Sequence, residues 1–333
     1  MVFTEQTDYQ LNGRQQHLPG FDKKYLNIVD YILKITEEIW EQRAIWVIYD
    51  TYGTDIPVHS GAGTTHGIDA VITGTLKTLA SFPDRKMGGE AVIWSQTNER
   101  VFYSSHRIGS TATNLGDTVF GKATGKKMFF RTIADCVVVE NKIVEEWLVR
   151  DNLHLVQQLG FDPVQMAKQD KRYKGGLAHF SKNGAVQRET NPQPATPNTA
   201  TDLVVALFEK TWASRHFDDL GLYYHPWAVC HAICNNDLST TTHISSYLTH
   251  LFASFPNAEV HLERITSNQK GDDYEVAARW KIIGQHTGNG FFGQPTGKQI
   301  VLPGISHFVV KDGKIAEEWL VFDGFDLLCQ IHA

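Results

Sequence analysis

The alternation of apolar and polar residues divides the chain into two stretches that each begin with helices. From Phe21 to about Tyr52, apolar residues recur at three- and four-residue spacings, which predicts an amphipathic helix. A second apolar helix is predicted over Ile68–Phe82. The pattern returns later, with one helix expected to begin at the N-cap Asp202 and another over Ile244–Phe255.

Behind each helical pair the period changes to two, and the segments are rich in β-branched and aromatic residues. The predicted strands are Glu90–Gln96, Val101–Ile108, Lys127–Glu140 and Ile143–Val149, then Glu259–Thr266, Tyr274–Ile283, Gln299–Val310 and Ile315–Phe322. Asn141-Lys142 and Asp312-Gly313 separate the last two strands of each set, which indicates hairpins. Helices followed by an antiparallel meander predict an α+β domain with helices on one face of a sheet.

The two stretches are copies of each other. K-I-V-E-E-W-L-V-R-D from Lys142 recurs as K-I-A-E-E-W-L-V-F-D from Lys314, 172 residues later, and T-G-K at Thr124 recurs at Thr296 with the same offset. A-S-F-P-D at Ala80 matches A-S-F-P-N farther along. A period this long indicates duplicated domains rather than solenoid repeats of roughly 20 to 50 residues. We therefore predict a first domain over residues 1–163, with an N-terminal helical extension, and a second over 201–333.

Residues 164–200 lose the periodicity and end in a proline-rich run, which favours an extended linker. Packing of this stretch over a pocket, with a bend at Gly175 and Gly176, stays open as an alternative.

Composition excludes several classes of function. The hydrophobic fraction is 42% and the charged fraction 20%, as in globular proteins, and the net charge of -6 gives no basic footprint for nucleic acid. No apolar run is long enough to suggest a membrane span. Four sparse cysteines do not form a disulfide framework, so we expect a cytoplasmic protein.

The repeated decapeptide is the strongest candidate for chemistry. Strict strand alternation predicts that Glu145, Trp147 and Asp151 share one face. Their counterparts are Glu317, Trp319 and Asp323. Such a face suits the wall of an apolar pocket with a few polar groups, where burial raises a carboxyl pKa toward neutrality. The alternative, which spacing alone favours, is that each aspartate caps the following helix.

Motifs of the type F-P-D, H-x-G, T-G-K and G-K-I-x-E-x-W-x-x-x-D resemble those of SnoaL-like polyketide cyclases in the NTF2-like superfamily. The resemblance covers both copies and leaves out the linker. It implies two tandem cone-shaped α+β domains, each a curved antiparallel sheet with N-terminal helices enclosing a pocket. It also implies an intramolecular aldol chemistry without metal or cofactor, with Asp151 and Asp323 as the matching general acid/base residues. Fold analogy alone does not fix the activity.

The two copies differ around these aspartates. H-T-G at His286 fits the family's H-x-G, and His307 lies on the neighbouring strand, so His307 and Asp323 are expected to pair as imidazole and carboxylate. The first copy has Asn114 and Asp135 at these positions, and Asp135 could share a proton with Asp151.

Weaker pocket candidates are His59, on a loop after the first helices, and His106, on a strand. Cys230 and Cys234, with histidines nearby, lack the second pair that a zinc site needs. The glycines around Gly288 do not follow the order of a nucleotide-binding fingerprint.

The sequence therefore favours a cofactor-independent acid/base enzyme, either a cyclase, an isomerase or a hydrolase, acting on a small or medium apolar carbonyl compound. A non-catalytic small-molecule binding protein is the alternative. The resemblance also implies relatives that often dimerise through their sheets, so we expect the two domains to pair within the chain, with further homo-oligomers open. Since only the second copy has His286 and His307, Asp323 is the aspartate expected to act, and the first copy is the one expected to have lost chemistry and to serve as the partner.

Overall fold

The computed structural model describes residues 14–171, 173, 181–182, 185–186 and 197–333. Contacts divide the chain into two compact units. The first contains the chain up to Arg150 and Leu155–Phe161. The second contains Asp151–His154 and the chain from Asp162 onward. Part of the predicted linker, including Gly175 and Gly176, lies outside the described residues.

The first unit has helices ahead of most of its sheet, as the sequence predicts. Its elements are α1 (Ile28–Trp40), α2 (Trp46–Thr51), β1 (Pro57–Ser60), β2 (Gly63–His66), α3 (Ile68–Ser81), β3 (Lys86–Asn98), β4 (Val101–Thr113), β5 (Lys127–Val139) and β6 (Lys142–Arg150). Helix α4 (Asn152–Leu159) follows β6 and is divided between the two units.

The prediction of a single long helix over Phe21–Tyr52 is wrong in one respect, because the helix is interrupted between α1 and α2. Asn27 caps α1 by accepting a hydrogen bond from the Asp30 N–H. Buried isoleucines at three- and four-residue spacing hold α1 against the sheet. Arg43 then adopts a left-handed backbone with φ of 59°, which a continuous helix cannot contain.

The first sheet is mixed rather than purely antiparallel. Its strand order is β2-β1-β6-β5-β4-β3, and β1 pairs with β6 in parallel. The predicted strands β3 to β6 form the antiparallel meander. The β1–β2 hairpin is an addition, because the sequence between His59 and His66 reads as a solvated loop. Its strands are only four residues long and carry no clear alternation.

The second unit repeats this order. Its elements are α5 (Pro163–Gln169), β7 (Ser181–Lys182), β8 (Ala185–Val186), α6 (Thr199–Leu207), α7 (Leu220–Tyr223), β9 (Tyr224–Ala232), β10 (Asn236–Ser239), α8 (Thr240–Ser254), β11 (Glu259–Lys270), β12 (Asp273–Gln285), β13 (Gln299–Lys311), β14 (Lys314–Phe322) and α9 (Gly324–His332). Its six-stranded sheet has the order β10-β9-β14-β13-β12-β11, again with one parallel pair, β9 and β14.

Two local details differ from the expectation. Helix α6 is capped by Asn198, which forms a capping box with Thr201, and not by Asp202. The helix continues as a π-helical segment, Phe208–Ala213. The predicted Asp312-Gly313 hairpin is confirmed, since Lys311 pairs with Lys314 and both turn residues have positive φ.

Candidate active site

A bulge in β6 decides which face of the repeated motif meets the helices. The pairing of β5 with β6 shifts between Val137 and Val138, so Ile143 and Glu146 come to lie on one face. Glu146, Leu148 and Arg150 therefore point into the domain interior. Strict alternation had placed Glu145 and Trp147 there. The structure corrects that expectation, because the extra residue reverses the phase of the strand.

The first domain encloses a cavity of about 330 Å³ between its helices and its sheet. Ile32, Ile35 and Ile39 of α1 and Val71 of α3 form part of an apolar wall. Six side chains bring titratable or charged groups to the cavity: Tyr52, Arg85, His106, Cys136, Glu146 and Arg150. Hydroxyl side chains such as Thr75 and Thr132 also line the cavity, so its wall is mixed, with apolar residues in the majority. Small-molecule sites combine apolar walls with polar groups in this way.

Glu146 lies at the centre of the sheet, opposite Val58 on one side and Cys136 on the other. Glu146 is only 8% exposed. Burial raises the pKa of its carboxyl to about 7, although the positive charge of Arg150 lowers that pKa in part. Within the described chain this carboxyl makes no hydrogen bond. The carboxyl can therefore both gain and lose a proton near neutral pH.

Its counterpart Glu318 in the second domain is already engaged. The Tyr224 hydroxyl donates a hydrogen bond of 2.6 Å to Glu318 Oε2. Burial raises the Glu318 pKa as well. The equivalent Tyr52 lines the first cavity without bonding Glu146. Glu318 Oε2 is thus bonded, while its Oε1 has no hydrogen-bond partner in the described chain. Glu146 differs in that neither of its carboxyl oxygens is bonded to a described residue.

Arg85 enters the cavity from the position just before β3, and Asp84 separates it from the repeated S-F-P. Its Nη2 donates to the Ser110 hydroxyl at 2.9 Å, and its guanidinium lies 4.7 Å from the Trp40 ring and 5.2 Å from the Phe130 ring. Nε and Nη1 are buried without a hydrogen-bond partner in the described chain. Burial and then Arg150 lower its pKa well below the ordinary value.

His106 projects into the cavity from β4 and is 3% exposed. Burial, followed by the charge of Arg107, lowers the pKa of its imidazole to about 3, so the ring is neutral at pH 7. Its Nε2 has no hydrogen-bond partner in the described chain. A Cβ at Gly89 would lie 3.1 Å from that nitrogen, so a glycine gives the ring its room. Of the histidines expected near a pocket, His106 is the one that lines this cavity.

In the second domain, aromatic rings occupy the interior at positions that are polar or smaller in the first. Trp280 replaces Ile108, Phe322 replaces Arg150, and Ala258 and Ala278 stand where Arg85 and His106 stand. The rings contact one another, with centroids 5.0 Å apart for Trp212–Trp280 and 6.3 Å for Trp280–Phe322. Aromatic rings thus make up much of the buried interior of the second domain.

Both aspartates of the repeated motif act as helix caps. Asp323 Oδ1 accepts from the N–H groups of Phe325 and Asp326, and its Oδ2 accepts from Asn152. Asp151 accepts from the N–H groups of His154 and Cys234. These contacts occupy the carboxylates in the manner of the capping alternative.

The pairing of strands β13 and β14 does not bring His307 opposite Asp323. His307 lies opposite Trp319, four residues before Asp323, which corresponds to roughly 13 Å along a strand. Asp135, at the equivalent position of β5, accepts a hydrogen bond from the Tyr103 hydroxyl. Register opposite Trp147 places Asp135 on the sheet face away from the cavity.

The H-x-G position organises a loop. His286 is fully buried, its Nδ1 lies 3.2 Å from the Thr296 hydroxyl, and burial lowers its pKa. In the first copy Asn114 accepts hydrogen bonds from the N–H and hydroxyl of Thr124. A Cβ at Gly288 would lie 1.9 Å from the Ala253 carbonyl oxygen, so this glycine permits close contact with the preceding helix.

The remaining pocket candidates lie on the opposite face of the sheet. His59 stacks on Trp147 with centroids 5.1 Å apart, and its Nε2 lies 3.0 Å from Glu145 Oε1. In the second domain His231 stacks on Trp319 in the same way. Glu317 lies two residues before Trp319 in the sequence. None of these side chains lines the cavity of the first domain.

The described residues contain no group of three or more His, Cys, Asp or Glu side chains arranged for a metal ion. Cys230 and Cys234, which suggest such a site at a glance, are free thiols. None of the described helices combines the length and the hydropathy needed to cross a membrane.

Comparison with known proteins identifies the family to which this chain belongs. The family model for the SnoaL-like polyketide cyclases matches residues 31–159 and again 202–331. The chain therefore belongs to the SnoaL-like polyketide cyclase family and consists of two tandem NTF2-like α+β domains. A search of curated proteins found no match.

Three solved structures that are similar to this chain each cover less than half of it. A candidate SnoaL-like polyketide cyclase from Jannaschia sp. CCS1 is 21% identical, with 44% of this chain and 99% of that chain covered and a TM-score of 0.36. IdmH, a candidate polyketide cyclase from Streptomyces antibioticus, is 23% identical over 41% and 100%, with a TM-score of 0.35. A candidate cyclase from Bacillus cereus ATCC 10987 is 23% identical over 44% and 97%, with a TM-score of 0.34.

Proposed function

We propose that the first domain is a cofactor-independent acid/base enzyme of the cyclase type and that the second domain is its structural companion. The substrate is a small or medium apolar carbonyl compound. The observation that carries the proposal is Glu146, a buried carboxyl with a pKa of about 7 that faces a 330 Å³ cavity and makes no hydrogen bond in the described chain.

The cavity supplies complementary groups for proton transfer at a carbon next to a carbonyl. The Glu146 carboxylate removes the proton, and the carboxylic acid so formed returns one later in the reaction. Neutral His106 can donate a hydrogen bond to the carbonyl oxygen, as a neutral imidazole does when its pKa is low. Apolar side chains of α1, together with Val71 of α3, border these groups. In an aldol cyclase the resulting enolate would attack a second carbonyl of the same molecule.

The alternative proposal assigns proton transfer to Asp323 and Asp151, with His307, His286 or Asp135 assisting. The capping contacts of the two aspartates and the register of His307 weigh against this assignment. Pairing of the two domains within the chain, further oligomers and a cytoplasmic location remain predictions.

The test follows proton transfer directly. A panel of cyclic and linear ketones is incubated with the protein in deuterium oxide, and deuterium incorporation next to the carbonyl is measured by mass spectrometry. We expect incorporation with wild type, a loss of roughly 100-fold or more with Glu146→Gln, and little change with the matched control Glu318→Gln. Equal losses in both variants would contradict the proposal. A ketone that raises the melting temperature without exchanging would favour the non-catalytic binding protein instead.

A further inference from the structure

Arg85 is a buried cation that lacks a counterion. It is 3% exposed, and among the described residues it forms no ion pair. Its single hydrogen bond goes to a neutral hydroxyl, that of Ser110, while Nε and Nη1 together keep three N–H groups without a partner. The charged group whose field reaches Arg85 is Arg150, which has the same sign. A buried cation without a counterion is costly unless something else supplies the negative charge.

The guanidinium is held in place although its donors are unused. The Trp40 and Phe130 rings lie on it at 4.7 Å and 5.2 Å, and the bond to Ser110 fixes its rotation. Cation–π contacts of this kind stabilise the charge but leave the N–H edge free for a planar acceptor. Arg85 thus has the features of a prearranged anion receptor.

Arginine at this position accompanies the open cavity. The second domain carries Ala258 in the corresponding place, two residues after the same S-F-P sequence, and its interior contains aromatic rings in contact with one another. Nothing in the packing of this fold therefore requires a buried cation at that position. A role toward a molecule in the cavity explains why the first domain contains one.

We propose that the cavity takes a carboxylic acid whose carboxylate binds Arg85. This inference deepens the proposed function, and rests on it for the reaction, by naming the substrate class: a keto acid with an apolar body. Arg85 bonds Ser110 of β4, and Glu146 lies in the row of Ser104, six residues earlier on that strand. The keto acid would therefore place its carboxylate and its reacting carbonyl at different points along β4.

The test uses binding and does not require turnover. Phenylacetate, hydrocinnamate and phenylbutyrate are each compared with the corresponding neutral amide by isothermal titration calorimetry. We expect at least one acid to bind wild type about tenfold or more tightly than its amide, because hydrogen bonds to charged groups are stronger than those between neutral groups. Arg85→Met should abolish this preference, and Arg85→Lys should retain part of it. Arg100→Met, which removes the same charge from an exposed residue, should leave the preference intact.

Two results would overturn the inference: no acid binds wild type more tightly than its amide, or the preference survives in Arg85→Met. The wild-type comparison stands even if a variant folds poorly. Glu146→Gln should keep the preference for acids, so a failure of the proposed reaction and a failure of carboxylate binding can be told apart.

Discussion

Trp280 lies directly against Gly304 in the second domain. A Cβ added to Gly304 would come within 2.1 Å of the Trp280 ring, and the indole N–H donates to the Ser306 hydroxyl at 3.2 Å. The corresponding residues of the first domain are Ile108 and Thr132, and both line its cavity. The second domain therefore has a tryptophan and a glycine at the two positions where the first domain has the cavity-lining residues Ile108 and Thr132.

Gly304→Ala should destabilise the second domain by about 1 to 3 kcal/mol, because the added methyl group overpacks the contact with Trp280. The denaturant midpoint, followed by tryptophan fluorescence, measures the change. Thr132→Ala is the matched control in the first domain and should have the smaller effect, since Thr132 borders a cavity. Equal stability of Gly304→Ala and wild type would contradict this packing.

Glu146 should make stability fall as pH rises through its titration range. Its pKa is 4.5 in the unfolded chain and about 7 when folded, so between these values the folded state binds more protons. The stabilising effect of the protonated carboxyl is complete below the lower value and is lost as pH approaches the upper one. The total is of the order of 3 kcal/mol.

The free energy of unfolding of wild type and Glu146→Gln is therefore compared at several pH values from 4 to 8. We expect wild type to lose stability relative to the variant, which has no titrating group there, as pH rises. A difference that stays constant over this range would show that the Glu146 pKa is not raised.

Asp323 should act through its helix cap. Asp323→Asn retains a good capping oxygen for α9, so we expect nearly unchanged stability and unchanged proton transfer. Asp323→Ala should lose about 1 kcal/mol of stability. Thermal unfolding and deuterium incorporation measured on the same samples test both statements. Strong loss of exchange in a folded Asp323→Asn protein would move the chemistry to this aspartate.

The duplication, the meander and the family follow from the sequence because they depend on local patterns. Apolar spacing fixes α1, strand alternation fixes β3 to β6, and the turn residue Gly313 has the positive φ that its hairpin needs. The family motifs were readable for the same reason. In the structure Asn114 and Gly288 shape a loop and Asp323 caps a helix, and a chemical role for these motif residues stays a prediction.

The site itself could be predicted only in part. His106 was among the candidates, whereas Glu146 was placed on the wrong face because a bulge at one residue cannot be seen in strand alternation. Arg85 was missed because its burial depends on Trp40 and Phe130, which are distant in sequence. The signal that could have found Arg85 is a difference between the copies. Two residues after the repeated S-F-P, the first copy has Arg85 and the second has Ala258.

Transplanting the second-domain packing into the first tests the central claim most directly. The double variant Ile108→Trp with Thr132→Gly should fill the cavity with an indole that this fold already accommodates at the equivalent place. Circular dichroism and the melting temperature confirm folding, and deuterium incorporation into the ketone panel is then measured. We predict a folded protein that has lost exchange. A folded double variant that exchanges at the wild-type rate would show that the chemistry does not occur in the first-domain cavity.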